Sequence, residues 1–110
     1  MKSLRLSLSI VEASEPLRKR APVVDENGDA LTDFMVLFPG LSKKPGASIE
    51  QTTREIHRIL GYYSDSVVFA ELNLELSLLW ISARPVSGVS FEIAEALRQS
   101  IPDARLVSHV

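Results

Sequence analysis

The chain has 110 residues, of which 45% are hydrophobic and 24% charged, the composition of one globular domain and not of a disordered segment. It contains no cysteine, which excludes disulfide scaffolds, thiolate metal sites and thiol catalysis. Twelve basic against fourteen acidic residues leave a formal charge of −2, which argues against a general binder of nucleic acid or of anionic membranes. No apolar run approaches the length of a membrane helix and no apolar leader opens the chain, so a cytoplasmic protein is expected.

Residues Leu4-Arg5-Leu6-Ser7-Leu8-Ser9-Ile10 alternate apolar and polar, the period of a strand with one buried face. Ser14 to Pro22 reads as a connector, because Pro16 and Pro22 remove ladder donors and Arg18-Lys19-Arg20 is a charged triplet. Val23-Val24 forms at most a short strand piece, and Asp25-Glu26-Asn27-Gly28-Asp29 is turn chemistry. Phe34 to Phe38 is a compact apolar run stopped by Pro39-Gly40, too short for a helix and suited to a central strand. After the loop from Leu41 to Ala47, Ser48 and Gln51 have the spacing of a capping box. Ile49, Thr52, Ile56, Ile59 and Leu60 recur at helical spacing up to Gly61, so the pattern predicts a helix over 48–61.

Val67 to Arg84 contains two alternating apolar runs with a weak turn signal between Asn73 and Ser77. The β-branched and aromatic content favours a strand pair over one long buried helix. Ser90 is placed to cap a second helix, with Ile93, Leu97 and Ile101 on one stripe and Pro102-Asp103 as the stop. Ala104 to Val110 reads as a last strand. Residues 33–110 thus spell β-α-β-β-α-β, and residues 1–32 supply a strand and connector outside that unit. The expected class is α+β, a ferredoxin-like sandwich with an additional N-terminal strand and both helices on one face of the sheet.

If Val68, Ala70, Leu72, Leu79 and Ile81 face the helices, then Val67, Phe69, Leu78 and Trp80 face away. An uncovered apolar patch of that kind is large for a soluble monomer. The N-terminal strand or a second copy must cover it. Two-fold pairing is the commonest solution, so a homodimer with Phe69, Leu78 and Trp80 in its interface is expected.

Taking the first and third strands of the unit as parallel neighbours sets the loops at 41–48 and 84–90 side by side. Two helix N-termini then converge, with Lys43, Lys44, Gly46 and Ser48 from one loop and Arg84, Ser87 and Gly88 from the other. Free N–H donors, glycines and three cations make this a candidate anion or carboxylate site. Solvated lysines and capping serines are the plainer reading of the same residues.

The run Lys44-Pro45-Gly46-Ala47, after a buried strand and opening the first helix of a βαββαβ unit, resembles the corresponding turn of ACT domains. The resemblance covers about residues 33 to 110. It implies a regulatory module that pairs and binds an amino acid at this turn.

Other chemistry is thinly represented. No phosphate loop, dinucleotide fingerprint or Gly-x-Ser-x-Gly elbow occurs, and no cofactor is implied. The acidic run at 25–29 with Asp33 lacks the calcium-loop spacing, so no metal is expected there. The third core strand lacks the Gly-aromatic pattern of RNA-recognition sheets. The leading expectation is a homodimeric, non-enzymatic module binding a small anionic or amino-acid ligand. The alternatives are an interaction domain using the apolar sheet face and a cofactor-independent dimeric α/β-barrel enzyme. The last needs His57, His109 or Tyr62 for acid–base work.

Overall fold

Strands form where apolar side chains alternate, and helices where they recur every three to four residues. The computed structural model describes residues 24–109. The expected strand at Leu4–Ile10 and the basic connector lie outside the described residues. The elements are β1 (Thr32–Leu37), a 3₁₀ turn (Leu41–Lys43), α1 (Gly46–Tyr62), β2 (Val67–Asn73), β3 (Leu78–Ala83), α2 (Val89–Ser100) and β4 (Arg105–His109).

The four strands form one sheet in the order β2-β3-β1-β4, every neighbouring pair antiparallel. β1 and β2 therefore run parallel with β3 between them, and β3 and β4 run parallel with β1 between them. Each parallel pair is joined by one helix. The result is an α+β fold compatible with a ferredoxin-like arrangement. The helices touch one another and share a single core cluster with one face of the sheet. That cluster joins Phe34, Val36, Leu72, Leu79 and Ile81 of the sheet to Ile56, Ile59, Leu60, Ile93 and Leu97 of the helices.

The face assignment holds for Ala70, Leu72, Leu79 and Ile81, which lie in the core, but not for Val67. Val67 pairs with Ala83 while Phe69 pairs with Ser82, so a bulge places an extra residue between them. The bulge inverts parity at the start of β2, and Val67 joins the core instead of facing away.

Both helix starts differ from the serine caps expected of them. α1 begins at Gly46 behind Pro45, whose ψ of 151° is extended, and no side chain caps it. Ser48 sits inside the first turn, and its N–H donates to the Pro45 carbonyl at 2.9 Å. Proline fixes φ at this boundary, and its carbonyl takes the N–H groups of both Ser48 and Ile49, so the helix starts without a side-chain cap. Gln51 accepts instead from Arg54. α2 starts behind Gly88 at φ 77°, and Ser90 is buried in its first turn.

The hairpin turn also uses residues the dipeptide pattern did not single out. Ser77 takes the left-handed conformation at φ 56°. Asn73 works through its side chain, with Oδ1 accepting the Leu76 N–H at 3.0 Å. Removing that bond in Asn73→Ala is expected to lower stability by about 1 kcal/mol. Urea denaturation checks it. An unchanged midpoint would show that the turn holds without its side-chain acceptor.

Candidate functional site

The antiparallel pairing of β1 and β3 decides where the expected site residues lie. Thr32 pairs with Ala83 and Leu37 with Leu78, so the C-terminal ends of the two strands are at opposite ends of the sheet. A six-residue strand separates them by about 17–20 Å. The expectation of converging loops is corrected: β1 and β3 are neighbours but not parallel. Each helix returns the chain past one intervening strand, so parallel partners are never adjacent here.

Lys43, Lys44, Gly46 and Ser48 sit at the hairpin end. The Phe38 N–H donates to the Ser77 carbonyl at 2.8 Å, and the Ser42 N–H donates to Ser77 Oγ at 3.1 Å. These bonds tie the loop after β1 to the β2–β3 turn. Lys43, Lys44 and Gly46 are exposed and Ser48 is half-buried.

Arg84, Ser87 and Gly88 sit at the other end. Arg84 is engaged by the fold itself. It donates to the Asp65 carbonyl at 2.8 Å and to both carboxylate oxygens of Glu26 at 2.7 and 2.8 Å. Its Nε lies 3.6 Å from a carboxylate oxygen of Asp25. Glu26 is held below its ordinary carboxylate range, first by its own backbone N–H and then, against desolvation, by the charge of Arg84. The acidic turn at 25–29 is organised by Asp25, whose Oδ1 accepts the N–H groups of Asn27 and Asp29. Among the described residues, no group of three or more histidine, aspartate or glutamate side chains is placed to hold a metal ion.

The three expected interface residues do share a surface. Phe69 stands opposite Ser82, Glu71 opposite Trp80 and Asn73 opposite Leu78. Across β3, Ser82 stands opposite Asp33, Trp80 opposite Met35 and Leu78 opposite Leu37. These residues form the face of the sheet away from the helices. A polar chain crosses it: Trp80 Nε1 donates to Ser82 Oγ at 3.3 Å, and Ser82 Oγ donates to Asp33 Oδ1 at 2.7 Å. Trp80 is buried but lies outside the core cluster.

The centre of this face is buried. Trp80 is only 8% exposed, Glu71 4% and Ser82 not at all. Met35, Leu37, Phe69 and Leu78 around them are half-buried. Sequence periodicity identifies which residues share this face but carries no measure of its cover.

Two of the residues considered for acid–base work, His57 and Tyr62, lie elsewhere. His57 is on the outer side of α1, where it lines a shallow, open depression with Thr53, Arg54 and Arg58. Tyr62, 77% exposed at the end of α1, has the Arg58 guanidinium 6.0 Å from its ring centre. Arg58 is held by Glu55 at 2.8 Å and donates to Ser100 Oγ at 3.2 Å. That hydrogen bond from Arg58 lowers the pKa of Glu55. Tyr63 is raised, first by burial and then by the charge of Glu92. His57 and Tyr62 are therefore on the helical side of the molecule, away from the face on which a barrel-type cavity would form. Among the described residues, no helix is long and apolar enough to cross a membrane. In comparisons with protein-family models, with curated proteins and with solved structures, no match to this chain is found.

Proposed function

We propose that the chain is a ferredoxin-like binding module whose recognition surface is the helix-free face of its sheet. The observation that carries this reading is the make-up of that face. Trp80 stands at its centre with Met35, Leu37, Phe69 and Leu78 around it, and its polar chain through Ser82 and Asp33 is already satisfied. The half-buried Met35, Leu37, Phe69 and Leu78 of this face gain free energy by packing against apolar side chains, at roughly 25 cal/mol per Å² buried. It carries the Asp33 carboxylate at its edge, and the chain from Val24 onward has seven basic against twelve acidic residues. The fitting partner is an extended segment with an apolar strip and basic neighbours.

The reading moves recognition from the two loops, which the sheet separates, to a face whose residues the register brings together. It also changes the standing of a homodimer through Phe69, Leu78 and Trp80. Two copies joined there would bring acidic surfaces together, so the dimer becomes an outcome to be measured.

Trp80 is the only tryptophan, so its emission reports on the face directly. The test is a titration with a synthetic peptide of alternating leucine and arginine. A saturable change in Trp80 emission is expected, lost in Leu78→Asp and retained in Lys43→Ala and Lys44→Ala. A response that ignores Leu78 and depends on the lysines would overturn the reading in favour of the loop site.

A further inference from the structure

Residues 24–30 form a closed loop. Val24 bridges to Ala30, and the Asp25 N–H donates to the Asp29 carbonyl at 2.9 Å. Within the loop, Asp25 Oδ1 accepts the N–H groups of Asn27 and Asp29 at 2.8 and 2.9 Å. The Gly28 N–H donates to the Asp25 carbonyl at 3.0 Å. Arg84, just past the end of β3, holds both carboxylate oxygens of Glu26 at 2.7 and 2.8 Å and approaches Asp25 at 3.6 Å. At the tip, Asn27 and Gly28 are exposed, and Gly28 has a φ of 84°. A β-carbon placed on Gly28 would meet no atom of the described residues within 4 Å, so the space around it is open.

We propose that Asn27-Gly28 is a site of spontaneous covalent modification, at which the Asn27 amide is lost through a cyclic imide at a rate set by the Arg84 anchor. The Gly28 backbone nitrogen attacks Asn27 Cγ. A new N–Cγ bond closes a five-membered imide as the bond from Cγ to the amide nitrogen breaks. Ammonia leaves, taking up the proton that the Gly28 nitrogen gives up. Water, the only co-reactant, then opens the imide at one of its two carbonyls. Opening at Cγ yields aspartate. Opening at the main-chain carbonyl yields isoaspartate, with the backbone routed through the former side chain. Glycine suits the attacking position because no side chain crowds its nitrogen.

The chain holds two asparagines, and the fold treats them oppositely. Asn73 is 3% exposed, is followed by Leu74, and has its side-chain oxygen engaged by the Leu76 N–H. Asn27 faces water with a glycine behind it.

The loop also restrains the reaction. With the Asn27 N–H on Asp25 Oδ1 and the Gly28 N–H on the Asp25 carbonyl, the backbone on both sides of Asn27 is fixed. The Gly28 nitrogen turns onto Cγ only when these bonds open. Local opening is governed by the contacts that hold a segment to the rest of the fold. The ion pairs that tie this loop to the end of β3 are those of Arg84 with Glu26 and Asp25.

The product acts back on the anchor. Either acid adds a negative charge beside Asp25, Glu26 and Asp29, where like charges repel. Isoaspartate also lengthens the backbone by one carbon between the two N–H groups that Asp25 now accepts. Both changes loosen the pairing of Glu26 with Arg84. The reaction runs one way, so the site marks the age of the chain and releases the turn that leads into β1.

The experiment incubates full-length chains at mildly alkaline pH and physiological ionic strength, which screens the acidic side chains of the loop. Peptide mass reports conversion of amide to acid, and chromatography separates the aspartate and isoaspartate peptides. In the native chain Asn27 is expected to convert while Asn73 of the same molecules does not, and more slowly than in the chain unfolded in urea. Arg84→Met, shown by circular dichroism to stay folded, is expected to convert at least about tenfold faster than the native chain. Glu26→Gln, which keeps Arg84 and removes its ion pair, should accelerate conversion by a smaller factor. Asn73→Ala, which loosens the turn at the other end of the sheet, should leave the rate at Asn27 within about twofold of native. Asn27 left intact in the folded native chain and in Arg84→Met, while the urea-unfolded chain converts, overturns the site. Equal rates in the native chain, Arg84→Met and Glu26→Gln overturn the anchor's control of the rate. An equal acceleration in Asn73→Ala assigns the reaction to global unfolding and overturns local opening. The converted chain, separated by its added negative charge, should unfold at a lower urea concentration than the unconverted one, and identical midpoints overturn the product's effect on the anchor.

Discussion

Phe34→Ala is expected to lower the unfolding free energy by about 3–5 kcal/mol. Phe34 is fully buried and lies on β1, a central strand with neighbours on both sides. It pairs with Ile81 on β3 and packs in the cluster that both helices share. The loss combines the transfer free energy of the ring with the cavity left among side chains that sheet pairing holds in place. In a domain of this size the unfolding midpoint should fall by well over about 10 °C. Met35, the next residue, points to the opposite face and is half-buried. Met35→Ala should therefore cost clearly less than Phe34→Ala, and chemical denaturation of the two variants side by side measures the difference. Equal losses would show that the helix-free face is packed as tightly as the core. A reversed order would place the wrong parity of β1 against the helices.

That contrast marks what the pattern of residues already carried. The period of two in Ala70, Leu72, Leu79 and Ile81 identified the core face, because burial of one side is what produces alternation. The period failed at Val67, because a bulge inserts a residue without changing composition. Helix positions were legible from Ile56, Ile59, Ile93 and Leu97, while the caps were not. Pro45 and Gly88 set the boundaries through backbone geometry, and the nearby serines became ordinary first-turn residues. The expected convergence of the two loops failed on strand direction. Nothing in the spacing of Lys43, Lys44 and Arg84 reports whether β1 and β3 run parallel. The chain's path through α1 and then the β2–β3 hairpin fixes that, and it makes them antiparallel. The partner of Arg84 was equally hidden, since Glu26 lies 58 residues away along the chain.

Arg84 is accordingly expected to be structural, and its removal is the second large effect. In Arg84→Met the aliphatic stem is largely kept, while the bonds to the Asp65 carbonyl and to Glu26 and the approach to Asp25 are lost. The Asp25 side chain is only 3% exposed, so its charge feels the missing guanidinium strongly. A hydrogen bond to a charged group contributes about 1.5–3 kcal/mol, and the loss should fall in that range at neutral pH. The pH dependence has a definite sign. The pKa of Glu26 is depressed below its ordinary value of 4.5, so its contribution is present above that value and disappears as the pH falls through the folded pKa. The stability gap between native chain and Arg84→Met should narrow in acid, as measured by urea denaturation near neutrality and below about pH 4. A gap that stays constant would separate Arg84 from Glu26 and leave the Asp65 carbonyl as the bond that matters. Lys43→Ala and Lys44→Ala, exposed at the far end of the sheet, should leave stability unchanged. A ligand screen that used Arg84→Ala as its control would mistake the loss of this anchor for the loss of a binding site.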